Sequence, residues 1–241
     1  MHANAVETEP HVDQTGKEGA VNKVFIVGAA GGVGRHLVRK LVERGMVPVG
    51  LCRRDGQAKA IKAVGGVPVV ADLRDVNAGS LAKMMAGCDA VVFSAGAGGK
   101  GGKAMIDAID RDAALNTISA ADQAGISTVL MVSSFPPNAE DAPGFSEGFR
   151  YYFVTKRFVD EHLAASSLDW VIVRPGRLTD GPETGHISAG QAIAYGTISR
   201  EDVAETIVQC LKTGQRWTVV EITSGGTPIN AALGNLPRTS L

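Results

Sequence analysis

From Lys23 to Ile222, short apolar, β-branched runs alternate with longer segments of helical period, and this restricts the fold more than any other feature of the chain. The runs read VFIVG (24–28), VPVGLC (47–52), VPVV (67–70), DAVVFS (89–94), STVLMVSS (127–134), DWVIVRP (169–175) and WTVVEI (217–222). Between most of them lie helical stretches at roughly 33–44, 55–64, 78–86, 103–124, 151–166 and 200–213. Consecutive apolar positions suit strands covered on both faces, as in a parallel sheet. The helical segments are striped: Leu37, Val38, Leu41 and Val42 share one face, Arg35, Arg39, Lys40 and Glu43 lie outside it, and Gly45 supplies the stop. Such alternation predicts βαβ units and an α/β fold, a doubly wound parallel sheet of the Rossmann type.

A chain of 241 residues fits a single domain of this class. Area scaling gives a folded surface of roughly 10,000 Å² against about 36,000 Å² unfolded, so about 70% can be buried without staples. Residues 1–21 are polar and aperiodic, with Pro10 and Gly16, and are expected to form a disordered tail ahead of one domain at 22–241. Glu7, Glu9, Asp13 and Glu18, with no apolar stretch among them, do not make a signal peptide. The formal charge of −1 supplies no field for nucleic acid or an anionic membrane, and no apolar run is long enough for a transmembrane helix. Cys52, Cys88 and Cys210 are scattered, and the five histidines form no ligand pair, so neither a disulfide scaffold nor a metal site is expected. A reducing, cytoplasmic setting fits. The 30 glycines point to many tight turns and close backbone approaches.

The sharpest local signal is GAAGGVG, with Gly28, Gly31 and Gly34 directly after the first strand and opening the first helix. Its spacing differs by one residue from the usual dinucleotide fingerprint but meets the same demands of a tight turn, bare backbone near a pyrophosphate and close helix–strand packing. The N–H groups of Gly32, Val33 and Gly34 are expected to face the phosphates from the helix N-terminus. The second strand ends in Cys52, Arg53 and Arg54, where an NAD site would carry an acidic residue. A guanidinium there can pair with the 2′-phosphate of NADP(H), although two adjacent arginines also suit an ordinary solvated loop. With Asp55 one step further on, NADP is favoured and NAD kept open. Asp72 and Leu73 follow the third strand, placed to take an adenine amino group and ring, or to act as a plain loop carboxylate and its neighbour. The glycine-rich GKGGK at 99–103 lacks the glycine and Ser/Thr of a P-loop.

Tyr152 and Lys156 stand four residues apart at the start of a helix and so share a face. A free tyrosine, with a pKa near 10, is a poor proton donor at neutral pH, and a neighbouring ammonium group should lower that value. Ser133 and Ser134 end the preceding strand, where a hydroxyl can hold a carbonyl oxygen; either could serve. As bare motifs both also read as ordinary helix-face and strand-end residues.

Taken in order, the glycine turn, the arginine pair, Asp-Leu, Ser-Ala-Gly, Ser-Ser, Y-x-x-x-K and Arg-Pro-Gly resemble the short-chain dehydrogenase/reductase superfamily. The likeness is greatest to its atypical, compact NAD(P)H-binding members related to biliverdin reductase B and NmrA-like proteins, and it spans about residues 22–230. The resemblance implies that Gly28, Gly31 and Gly34 form the pyrophosphate loop, that Arg53 faces the 2′-phosphate, and that Asp72 and Leu73 take the adenine. It implies further that Ser94, Ala95 and Gly96 line the cofactor ribose, that Pro175 and Gly176 pass the nicotinamide, and that Ser134, Tyr152 and Lys156 form the catalytic set, with Lys156 also holding ribose. The chain departs from typical members in the 18 residues separating Ser134 from Tyr152. The expected function is NADP(H)-dependent hydride transfer to a small carbonyl-, quinone- or flavin-like molecule. A non-catalytic NADP(H)-sensing regulator is the alternative, and a nucleotide-sugar epimerase or dehydratase ranks last, because little chain remains after the sixth strand. Pocket walls are expected at 135–150 and 176–199, and a homodimer is compatible with the helices at 103–124 and 151–166.

Overall fold

The computed structural model of the chain describes residues 21–135, 144–234 and 236–239. The expected tail lies outside these residues except for Val21, as does half of the first expected pocket wall, residues 136–143. All seven predicted runs are strands: β1 (Lys23–Val27), β2 (Val47–Cys52), β3 (Val67–Val70), β4 (Ala90–Phe93), β5 (Thr128–Val132), β6 (Asp169–Pro175) and β10 (Thr218–Ser224). They run parallel in the order β3-β2-β1-β4-β5-β6-β10. Winding reverses beside β1, which opens a crevice at the carboxyl ends of β1 and β4, the place where such sheets bind ligands. Four further strands have no period in the sequence: β7 (Arg177–Thr179), β8 (His186–Gly190), β9 (Thr197–Ser199) and β11 (Thr227–Pro228). The four divide into two pairs: β8 and β11 extend the sheet antiparallel past β10, whereas β7 and β9 form a separate parallel pair.

The helices are α1 (Gly34–Glu43), α2 (Asp55–Ala63), α3 (Ala78–Met84), α6 (Glu147–Ala164), α7 (Arg200–Thr213) and a short α8 (Ile229–Gly234). The long helix expected at 103–124 is composite: α4 (Gly102–Met105), a π-helical segment Ile106–Ala113 and α5 (Ala114–Gln123). No helix among the described residues is long and apolar enough to cross a membrane.

Strand alternation divides the core between two layers, because successive side chains leave opposite faces. Val24 and Ile26 of β1, Ala90 and Val92 of β4 and Val171 and Val173 of β6 pack with Leu37, Leu41, Val203 and Ile207 of α1 and α7. Phe25, Val27, Val91, Phe93, Trp170 and Ile172 point the other way, to Leu81, Ile118, Val159 and Leu163 of α3, α5 and α6.

Lys40 corrects the striped reading of α1. It is only 3% exposed rather than outside the stripe. The reason is α7, which packs along α1, together with the segment between β7 and β8: both bring carboxylates to it. Lys40 Nζ donates to Glu183 Oε2 at 2.6 Å and lies 3.2 Å from Glu205 Oε2, while Arg44 Nη2 donates to both Glu205 oxygens. A lysine is buried only when so paired.

The three cysteines are free and buried. Burial pushes each thiol up, Cys210 to about 12. Since the thiolate is the reactive species, the native protein should give almost no fast reaction with a thiol-specific disulfide reagent in mildly alkaline buffer. All three thiols should react once denaturant is added; a fast equivalent in the native state would contradict this packing.

Candidate active site

The turn from β1 into α1 is built on close approaches. Gly28 has φ +91°, and a Cβ there would lie 2.6 Å from the Ala95 nitrogen, because the chain leaving β4 passes directly against it. A Cβ on Gly34 would overlap the Gly28 carbonyl oxygen. Gly31 N–H donates to that same carbonyl at 2.9 Å, closing the turn. The N–H groups of Gly32, Val33 and Gly34 have no acceptor among the described residues. A bare cradle with free donors at a helix N-terminus fits the diphosphate of a dinucleotide.

At the exit of β2, the backbone N–H groups of Arg53 and Arg54 both donate to Gln57 Oε1, at 3.0 and 3.2 Å, which fixes the start of α2. Both arginines are exposed, and neither guanidinium forms an ion pair among the described residues. Asp72 is otherwise engaged. It accepts from the Arg74 backbone N–H at 3.1 Å, from Nε at 3.0 Å and from Nη2 at 2.6 Å, and this clamp, with a lesser pull from Arg53, holds its carboxyl down at about 2. An adenine amino group would have to share that carboxylate with Arg74. Leu73 packs at the edge of the core.

The other backbone positions converge. Ser94 Oγ donates to the Val27 carbonyl at 3.2 Å, tying the ends of β4 and β1 together, and Ala95 abuts Gly28. Gly96 faces Asp110, whose Oδ1 would lie 3.1 Å from a Cβ there. Gly176 N–H donates to the Ile222 carbonyl, and the Pro175 carbonyl accepts from Phe135 N–H at 3.2 Å, which aligns the ends of β6, β10 and β5.

Helix α6 begins ahead of the predicted 151 because Ser146 Oγ caps it, accepting from Phe149 N–H at 3.4 Å. Tyr152, Lys156 and Asp160 follow one another at four-residue steps along its inner face. Lys156 is buried, its Nζ donating to the Val132 carbonyl at 3.0 Å and lying 5.6 Å from the centre of the Phe93 ring. Asp160 Oδ2 accepts from Ser133 Oγ at 2.8 Å and from Arg174 Nε at 2.9 Å. Asp110, on the π-helical segment, accepts from Ala97 N–H at 3.0 Å. Asp110 Oδ1, Asp160 Oδ1 and Ser134 Oγ are buried without a well-formed hydrogen bond. Ser133 is thus committed to Asp160, whereas the Ser134 hydroxyl has no well-formed bond and opposes the upward shift of Tyr152. Gly28 abuts Ala95, Ala97 N–H donates to Asp110, and the Asp110 carboxylate acts at longer range on both Lys156 and Tyr152.

The electrostatics correct one expectation. Tyr152 is not activated by Lys156: burial raises its pKa, Asp110 and Asp160 raise it further, and only Ser134 opposes. Lys156 is itself lowered by burial, against the pull of Asp110 and Asp160. Its ammonium is turned to Val132, and the charge around the tyrosine is set by carboxylates instead. Burial also raises Asp110 and Asp160, partly countered by Lys156 and, for Asp160, by Arg174. Both aspartates escape the motif reading. Asp160 left a signal, an acid on the inward face of an amphipathic helix four residues after Lys156; Asp110 left none, because a π turn has no signature in hydrophobic period.

A family described as NAD(P)H-binding matches residues 28–214, from the glycine turn to the end of α7. The chain belongs to this family. As an NAD(P)H-binding protein it stands in the atypical short-chain dehydrogenase/reductase group that its motifs resemble. It is 35% identical over 216 residues to a Bacillus subtilis protein named an uncharacterized sugar epimerase, YhfK, covering 89% of this chain and 100% of that one. Among solved structures it is similar to a Bacillus halodurans protein provisionally named an NAD-dependent epimerase/dehydratase (TM-score 0.82, 33% identity, 89% of this chain and 100% of that one). It is likewise similar to the oxidoreductase YlbE from Lactococcus lactis (TM-score 0.80, 26% identity, 91% and 99%). This NAD(P)H-binding protein therefore has the fold and cofactor class that its glycine turn announces.

Proposed function

We propose that the protein is an NADP(H)-dependent oxidoreductase acting on a small carbonyl-, quinone- or flavin-like acceptor, with Tyr152 as the proton donor. The observation that carries this reading is the buried Ser134 hydroxyl just past β5, which has no well-formed bond and acts on Tyr152, in a region that Asp110 ties through Ala97 to the chain beside the glycine turn. A bound nicotinamide supplies the hydride, which no side chain can provide. Burial keeps Tyr152 protonated, so its Oη can donate to the acceptor oxygen while Ser134 Oγ donates a second bond and fixes that oxygen in place. Lys156 has three donors, and Val132 takes one, which leaves others for ribose hydroxyls. On transfer the acceptor carbon gains the hydride, its oxygen gains the tyrosine proton, and Tyr152 is reprotonated from solvent.

The aromatic wall supports a flat acceptor. Phe135 stacks on Tyr195 with ring centres 5.4 Å apart, and Phe145 meets Tyr195 and Phe153 edge-on at 5.9 and 5.2 Å. The free guanidinium groups of Arg53 and Arg54 support NADP over NAD. Calorimetric titration with NADPH and separately with NADH tests this: a preference of about tenfold or more for NADPH, about 1.4 kcal/mol, is expected. Arg53→Ala should remove most of that preference. Preference for NADH would make the arginines bystanders, and binding of neither would overturn the reading.

One observation favours a second reading, an NADP(H)-binding regulator without turnover: the raised pKa of Tyr152 beside a lysine turned away from it. Loss of NADPH absorbance in cell extract, against a heat-killed control, separates the two. The epimerase names of the relatives suggest a sugar substrate, and a nucleotide-sugar epimerase is the reading ranked last.

A further inference from the structure

The parallel pair β7–β9 has a consequence at the glycine turn. Its register sets Thr179 opposite Ser199, so the next residues, Asp180 and Arg200, leave the pair side by side. Arg200 opens α7, and its side chain lies flat on the turn: a Cβ on Gly32 would meet Arg200 Cδ at 2.6 Å and Nε at 2.7 Å. Arg200 Nη1 donates to Asp180 Oδ1 at 2.9 Å, and Arg35 Nη2, from the first turn of α1, lies 3.8 Å from the same oxygen. One carboxylate oxygen is therefore held between two guanidinium groups, over bare backbone, at a helix N-terminus whose N–H groups are free. This is the chemistry that recognises a diphosphate.

The aspartate is weakly held. Its side chain is 74% exposed and that of Arg35 is 60% exposed, whereas Arg200 is 26% exposed and packed in place by Gly32. Exposed ion pairs of this kind contribute little and give way to a better anion. We propose that Arg200 is a ligand of the cofactor diphosphate and that Asp180 occupies its guanidinium until the cofactor arrives. The proposal rests on the reading of this crevice as an NADP(H) site. It also explains why the turn carries a second adjacent glycine, since Gly32 makes room for Arg200 rather than for the nucleotide.

The test is calorimetric titration of the wild type, Arg200→Ala and Asp180→Asn with NADPH and with NADH. Both cofactors carry the diphosphate, so Arg200→Ala should weaken both to the same degree, about tenfold or more. Asp180→Asn, which removes the competing carboxylate, should tighten both. Loss confined to NADPH would mean that Arg200 serves the 2′-phosphate, and unchanged affinities in Arg200→Ala would make it a structural residue; either overturns the proposal. If Arg200→Ala fails to fold, Asp180→Asn decides alone, and unchanged or weaker binding in that variant counts against the proposal. Failure of the wild type to bind either cofactor would instead remove the NADP(H) reading and the proposal with it.

Discussion

Tyr152→Phe should lower kcat by about 10²–10⁴-fold and leave NADPH affinity unchanged. That range is the usual contribution of a positioned general acid. The replacement deletes one hydroxyl and keeps the ring, which packs at 5.6 Å from Phe153, so the fold has no reason to respond. Stopped-flow or steady-state loss of NADPH absorbance with an accepted quinone or carbonyl measures the rate, and calorimetry measures the affinity. Turnover equal to wild type would remove Tyr152 from the chemistry. The direction of its pKa adds a condition. Burial raises it above the ordinary value near 10, and only the protonated form can donate. Reductive turnover should therefore hold through neutral pH and fall only in strongly alkaline solution, as ionised Tyr152 loses its proton.

The second large effect is on stability. Asp160→Ala should destabilise the protein by about 3–5 kcal/mol, the usual result of leaving one partner of a buried ion pair alone. The carboxylate is 3% exposed and Arg174 is 16% exposed; the change would also strand the Ser133 hydroxyl. For a chain of this length each kcal/mol shifts Tm by about 2–4 °C, so thermal denaturation should show a fall of roughly 6–20 °C. Replacing both partners, Asp160→Leu with Arg174→Met, should recover most of the loss, because neither member of the pair is then left charged and alone. A single variant within about 1 kcal/mol of wild type would mean that the pair is solvated.

The fold was legible because its signals are local and repeated. Consecutive β-branched residues mark strands covered on both faces, and stripes such as Leu37, Val38 and Leu41 mark the helices between them. The four short strands β7, β8, β9 and β11 have two to five residues each and sit among glycines, too short to carry a period. Their pairing is decided by the sheet edge that they find. The same contrast holds at the site. Gly28 and Gly34 were readable because bare backbone at that spacing has few other uses. Which of Ser133 and Ser134 is free depends on Asp160, a residue on another element, and Lys40 is buried because α7 and the segment before β8 supply its partners from far along the chain. The upward Tyr152 shift comes first from burial in the folded chain, and Asp110, brought near by a π turn, adds to it.

The division of the core into two layers bears on how such a protein diversifies. The diphosphate grip, with Gly28, Gly34 and Arg200, hangs from α1 and α7 on one side of the sheet. The hydroxyls and carboxylates around Tyr152 hang from α6 and the π segment on the other. The sheet insulates the two, and they meet only along its carboxyl edge. Mutation can therefore redraw the acceptor side, through α6 and its neighbours, without disturbing the helices that hold the nucleotide. A lineage built on this plan can change its chemistry one layer at a time and keep its cofactor throughout.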